Sequence, residues 1–423
     1  MSSLSLKPQL SYVELILMIF FSACAIIPDF SLIPEIAVVG LTIGYLAFVA
    51  TRSSSIEYPN NIGLFILIAL FVSVLYFVLT DTNTIQQNVS NRSLKVLFAK
   101  FNQYSYQLMP FAIMYRLVSK GSSKQHRFFL IGVAIFFGLT LIATNAFLSV
   151  NPGAIRSFHN TDIDSSELEG IGNFYFVYGA AALIPSLGLI YWYSQNLKAK
   201  IVSVVVIIYI FSFLFKAQFS LALLIPLVCL IYIWYTKLSQ GQRIYFCFFT
   251  PIAFVVLPFF FKFVAEYVGA DNDIHDRFME LYYTFTFQDS TSTAQDGVGR
   301  LTIYLETIKA FLISPLWGTK ICFDPHSTFL GMLADVGLLG FVPYIMMFYF
   351  MTKNIYRYLD IEGQKSLFKV SLLFIIIMGL TNPIHSTSAL QFAIWCIAPL
   401  VILEIKNKSK HIKSKHIKSK HIK

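Results

Sequence analysis

Arg300 opens a segment in which Leu301, Tyr304, Leu305, Ile308, Phe311 and Leu312 fall on one helical face, with Glu306 and Lys309 elsewhere. That spacing predicts an amphipathic helix suited to a membrane surface. A guanidinium beside a helix N-terminus is a good place for a phosphate group, although a snorkelling contact with lipid headgroups accounts for the same residue. Pro315 stops the helix and Trp317-Gly318 makes a turn. His326 follows, held by Pro325 just ahead of another apolar run. An imidazole there can take a proton near neutral pH, or it can be a plain interfacial histidine. Asp335 lies inside that apolar run. An acid at such depth is costly and marks either a site or a hydrogen-bonded helix contact. Gly331, Gly337 and Gly340 read as close-packing positions.

Two acidic triplets, Asp162-Ile163-Asp164 and Asp271-Asn272-Asp273, have the spacing that holds a metal on a nucleotide sugar. Both fall in segments expected on the outer side, where nucleotide sugars are absent, so they read as solvated loops. The first outer loop offers only Asp29 and Glu35. The expectation is therefore no required metal and no cofactor. Cys24, Cys229, Cys247, Cys322 and Cys396 show no metal spacing and imply no disulfide framework.

These residues must be positioned by a membrane protein. Hydrophobic residues make up 56% of the 423-residue chain and charged residues only 13%, against about a quarter charged in soluble domains. Mean hydropathy is +0.66. Segments of about 20 apolar residues suffice to cross a bilayer. Twelve candidates occur, at 11–28, 32–50, 61–80, 96–118, 128–149, 171–193, 199–216, 218–236, 244–264, 328–351, 367–384 and 387–404. The first, Tyr12 to Ile27, reads as a retained helix rather than a cleaved signal. Lys216, Ala217 and Gln218 interrupt the seventh and eighth, which either form a tight outer hairpin or re-enter the membrane.

The net charge of +10 misleads, because eight of the 32 basic residues lie after Glu404 with no acid among them. Removing those eight leaves 24 against 22, so the balance does not argue for nucleic acid. Residues 1–404 read as one polytopic membrane domain. Residues 405–423, with Ser-Lys-His-Ile-Lys repeated three times from Ser409, read as a disordered basic tail drawn to anionic lipid. Arg52, Arg116, Lys120, Lys124, Arg127, Lys198, Lys200, Lys237, Arg243, Lys353, Arg357 and Lys365 fall in one alternating set of loops. That set is expected to face the cytoplasm, with both termini inside. The outer side then holds two long loops, 150–170 and 265–327, the second carrying the amphipathic helix before the tenth span.

The late block resembles the C-terminal signature of the O-antigen polymerase and O-antigen ligase superfamily. The matching residues are Gly299-Arg300, Ser314-Pro315-Leu316-Trp317-Gly318, His326-Ser327-Thr328-Phe329-Leu330 and Asp335-Val336-Gly337-Leu338-Leu339-Gly340. Ser327 stands where Asn is commoner in the family. Upstream, Arg156 precedes a Gly-rich span start, Gly170-Ile171-Gly172-Asn173, where the family often has an arginine. Lys216-Ala217-Gln218 stands where the family often has Ser-Arg.

The resemblance implies an all-α polytopic fold of GT-C-like architecture in a bacterial inner membrane, with its active site facing the periplasm. It implies a polymerase that moves a glycan from undecaprenyl diphosphate to a sugar hydroxyl, with membrane lipid and a chain-length regulator protein as partners. Arg300 and Arg156 would hold the diphosphate, Lys216 would add a third cation, and His326 would take or orient the acceptor proton. An O-antigen ligase, with lipid A-core as acceptor, is the near alternative. A flippase or secondary transporter is the alternative of a different class, and Lys216 is the feature that favours it.

Overall fold

The computed structural model describes residues 10–27, 35–52, 61–79, 94–151, 154–157, 171–268, 275, 278–279, 282–283, 286, 295–319, 327–359, 362–382, 384 and 387–405. Within them, the side chains of 35–39, 61, 94–100, 102, 105–106, 156–157, 220, 250, 253–254, 295–302 and 362–364 lie outside the description. His326, the two acidic triplets, Cys322 and the repeat tail also lie outside the described residues.

Each of the twelve apolar segments is helical. In chain order the helices are α1 Tyr12–Ile26, α2 Glu35–Arg52, α3 Asn61–Leu79, α4 Leu94–Lys120, α5 Ser123–Val150, the single turn α6 Ala154–Ser157, α7 Phe174–Tyr193, α8 Leu197–Ala217, α9 Ser220–Tyr235 and α10 Gln240–Val268. The amphipathic segment forms α11, Gln295–Ile313, succeeded by α12 Thr328–Tyr358, α13 Glu362–Thr381 and α14 Ser388–Ile405. No strand occurs among the described residues.

Six of these helices, α3, α5, α7, α8, α12 and α14, are long and apolar enough to cross a membrane. Their outer surfaces are apolar as well. Ile131, Leu139 and Ile142 on α5, Val202, Val205 and Ile208 on α8, and Phe248, Phe249 and Val255 on α10 are all exposed. Water does not tolerate an apolar surface of that extent, and lipid does. The chain is a membrane-embedded, all-α protein.

Helix starts depend on local side chains that satisfy otherwise orphaned backbone donors. Ser122 and Gln125 form a reciprocal cap on α5. Asn173 Oδ1 accepts from Tyr175 N and Phe176 N at the start of α7, at 3.0 and 3.3 Å. The central helices are α7 and α14, where a Cβ on Gly179 would run into Ala389, so the two backbones approach closely. α14 contains one π-turn, Ala393–Ile397, around the wholly buried Trp395.

Contacts sort the helix ends into two groups, as alternate crossing requires. At the basic end, Arg116 grips Glu14 in a two-bonded ion pair of 2.7 and 2.8 Å. Arg127 and Ser123 hold Glu404 there, at 2.7 and 2.8 Å. The ends of α1, α4, α5 and α14 are thereby tied together. The opposite, far end gathers the C-termini of α1, α8 and α13 with the N-termini of α7, α9, α12 and α14.

Candidate functional site

The motif block folds as one unit around a break in α12. Gly337 has φ +61° and ψ −164°, which interrupts the helix. The turn after α11 fills the gap: Leu338 N donates to Pro315 O at 2.8 Å, Leu339 N to Leu316 O at 3.2 Å, and Thr319 N to Ala334 O at 2.8 Å. Backbone groups freed by the break are thus bonded within protein, the condition for irregular backbone at membrane depth. Gly318, with φ +75°, lies against the Asp335 carbonyl, while a Cβ on Gly337 would strike the Leu316 carbonyl. Only glycine adopts that region of φ and ψ without strain. Gly337 is therefore a backbone break and not the packing position its sequence suggests. Gly331 is buried, but a Cβ added there would meet open space, so no neighbouring helix presses against it at that point.

The break fixes the direction of two helices. α11 runs into the plugging turn with its C-terminus, and the first half of α12, Thr328 to Val336, reaches the same turn with its C-terminus. Both N-termini therefore point toward the far end. Tyr304 on α11 donates to Thr381 O at 3.4 Å, next to the start of α12. Arg300 lies one turn nearer the N-terminus, about 6 Å further along the axis, and inside α11 rather than at its start, because the helix already begins at Gln295. Its side chain lies outside the description. α11 meets α12 through Thr307 and Ala310, which are buried, while Leu305, Ile308 and Leu312 are exposed. The apolar stripe thus faces outward, and a small-residue face makes the protein contact.

The residue after His326 is well anchored. Ser327 caps α12 by accepting from Leu330 N at 3.2 Å and donates to Gly379 O at 3.1 Å. Thr328 Oγ1 accepts from Ile384 N at 2.7 Å and donates to Asn382 O at 3.2 Å. Asn382 Oδ1 accepts from the Tyr178 hydroxyl at 3.3 Å. Gln391 donates to Ile384 O at 2.8 Å and accepts from the Trp395 indole at 2.7 Å. These groups form a buried polar knot between α7, α12, α13 and α14. Asn382, Gln391 and Tyr178 were not singled out from sequence, and Thr328 was named only as part of the motif block. The available signal was polar residues beside Pro383 between two apolar spans.

Phe219 joins a second arm to this knot through ring contacts with Phe174 and Tyr178, at 5.3 and 5.9 Å. α8 ends at Ala217, Gln218 turns the chain in the left-handed region with φ 59°, and α9 starts at Ser220. The choice between a hairpin and a re-entrant segment thus becomes two helices joined by a two-residue corner, Gln218-Phe219. Lys216 Nζ donates to Ser149 Oγ at 2.8 Å, at the far end of α5. The short helix carrying Arg156 packs against α8 through the buried Ile155. The helix that carries Arg156 thus contacts the helix that ends beside Lys216.

Asp335 stands apart from both arms. It is buried inside the first half of α12, within electrostatic reach of Tyr104. Tyr104 bonds Tyr76 and packs edge-on against Tyr344 at 5.7 Å. Gln107 donates to the Tyr344 hydroxyl at 2.9 Å, and its own Oε1 is buried without a partner. Among the described residues no group of three His, Cys, Asp or Glu is placed to hold a metal ion.

No protein-family model, curated protein sequence or solved structure matches the chain.

Proposed function

We propose that the chain is a lipid-diphosphate-dependent glycosyltransferase of the O-antigen polymerase type, with twelve spans and both termini in the cytoplasm. The far end of the bundle would face the periplasm, because the basic end carries the lysines and arginines expected inside. The donor is a glycan on undecaprenyl diphosphate. The bond between the sugar C1 and the diphosphate oxygen breaks, and a bond forms from C1 to the acceptor hydroxyl oxygen. The hydroxyl proton passes to His326, and the electron pair leaves with the diphosphate.

One observation carries this reading: α11 and the first half of α12 lie side by side with both N-termini at the far end. The N-terminus of α12 places partial positive charge directly after His326, and Arg300 would add a guanidinium from the second turn of α11. Negative charge growing on a departing diphosphate is stabilised by such a field and by guanidinium groups. Arg300 and Arg156 would hold the diphosphate and Lys216 would add a third cation, with the helices that carry the last two in contact. The exposed Leu305, Ile308 and Leu312 stripe suits a donor presented from lipid.

The test is glycan chain length in cells expressing Arg300→Ala or His326→Ala at normal protein levels. Loss of long chains is expected, and Arg300→Lys should recover only part of the activity because lysine lacks the planar fork. Normal chain lengths in both alanine variants would overturn the assignment.

One observation favours a second reading, a flippase or secondary transporter. Transporters bind substrates at discontinuous helices near the bilayer midplane, and α12 is discontinuous beside the buried Asp335. Carrier-linked repeat units accumulating on the inner face of an Asp335→Asn strain would support that reading. Accumulation on the outer face supports the transferase.

A further inference from the structure

Away from the far end, α7, α8 and α9 enclose a groove of about 350 Å³ that opens to the lipid-facing surface. Gly188 and Leu230 form its floor, Val204, Ile207 and Ile208 one wall, and Trp234 the other. The lining is almost wholly apolar. Gly188 keeps the floor low, since a Cβ there would meet the tip of Leu230. The groove runs toward the basic end, where α7 and α9 finish.

Two lysines stand at that mouth. Lys200 precedes Val204 by one helical turn and so lies on the same face of α8. Lys237 comes just after α9 and rests over the Tyr193 ring, with Nζ 3.5 Å from the centroid. Arg243 lies beside them, donating to Thr236 O at 3.0 Å. Trp192 and Trp234, both partly exposed, are amphipathic rings of the kind that sit at headgroup level. An apolar slot with cations at one end matches a molecule with a hydrocarbon chain and an anionic head.

We propose that this groove binds one acyl chain of an anionic diacyl phospholipid from the leaflet at the basic end, with its phosphate between Lys200 and Lys237. No acidic residue occurs between positions 171 and 265, the stretch that carries Lys198, Lys200, Lys237 and Arg243, so the charge on these helices favours an anionic headgroup over a zwitterionic one. The site is on the opposite end from the polar knot and does not depend on the transferase reading.

The full-length protein carrying Trp317→Phe provides the test, because Trp192 and Trp234 then report on the groove while the buried Trp395 stays out of reach of lipid. In phosphatidylcholine vesicles, brominated phosphatidylglycerol should half-quench the emission at a mole fraction at least about fivefold below that of brominated phosphatidylcholine, the worth of roughly one lysine at a charged surface. Lys200→Ala/Lys237→Ala should abolish the difference and leave the Trp395 emission unchanged. Val204→Phe, which fills the groove from the lipid side, should lower the maximal quench. Equal half-quenching by the two lipids, or a preference that survives removal of both lysines, would overturn the proposal. So would undecaprenyl phosphate displacing phosphatidylglycerol at lower concentration, since the groove would then belong to an isoprenoid.

Discussion

Gly337→Ala is expected to destabilise the protein severely while Gly331→Ala, six residues away on the same helix, does not. At Gly337 the backbone has φ +61° and ψ −164°, a region that costs a residue with a Cβ about 1–3 kcal/mol. The new methyl would also strike the Leu316 carbonyl and the Gly318 amide, both backbone atoms, so the plugging turn has to move. Its displacement endangers the bonds from Leu338 N, Leu339 N and Thr319 N. Each such bond contributes about 1 kcal/mol net, and about 1–3 kcal/mol is lost where a buried group is left unsatisfied. Together the effects reach about 4–6 kcal/mol, a large share of the roughly 5–15 kcal/mol that separates folded from unfolded proteins. Gly331 has open space around it, and alanine there gains helix propensity of about 1 kcal/mol. The assay is thermal unfolding in detergent, monitored by loss of the monodisperse species. Gly337→Ala should melt on the order of 10 °C below Gly331→Ala, given about 2–4 °C per kcal/mol in chains of moderate size. Equal melting temperatures would refute the argument that the break is held by the plug.

Three further outcomes are expected. Arg116→Ala should cost about 3–5 kcal/mol because it leaves Glu14 buried and unpaired, whereas Glu14→Gln/Arg116→Met should recover much of that loss; melting temperatures check both. Thr328→Val is nearly isosteric but strands Ile384 N, so it should lower stability by about 1–3 kcal/mol and reduce glycan chain length as the anchor beside His326 loosens. Lys216→Arg should keep chain lengths near normal while Lys216→Ala shortens them, and Ser149→Ala, which removes only the 2.8 Å partner of the lysine, should have a smaller effect than Lys216→Ala.

The helical content was legible because apolar runs of span length leave few alternatives, and the caps at Ser122 and Asn173 mark starts by local chemistry alone. The Arg116–Glu14 and Arg127–Glu404 pairs join the ends of α1, α4, α5 and α14. The break at Gly337 was not legible. A glycine in an apolar helix reads as a contact for a neighbouring helix, and what makes this one different is a turn from elsewhere in the chain that donates no sequence signal at position 337. The apolar stripe of α11 was legible, and Leu305, Ile308 and Leu312 on it are exposed; periodicity carried no sign that the smaller Thr307 and Ala310 would be the buried residues. Asn382 and Gln391 escaped notice because their roles consist of bonds made across helices far apart in sequence, and the motif that contains Thr328 gave no sign of its bonds to Asn382 and Ile384.

The broken helix also bears on how the far end keeps its geometry. The first half of α12 is a short rigid piece pinned at both ends, by Thr328 to Asn382 and Ile384 at its start and by Thr319 to Ala334 near its finish. α11 enters the same plug and is tied to the knot again through Tyr304 and Thr381. The backbone at residues 300 and 327 is therefore held by one shared scaffold, although 26 residues of chain lie between them. The same plug also bonds the second half of α12, through Leu338 N and Leu339 N, so the break redirects the helix without releasing either half. The left-handed backbone at Gly337 is what lets one turn hold α11 and both pieces of α12, and a binding or catalytic constellation needs rigid support of that kind.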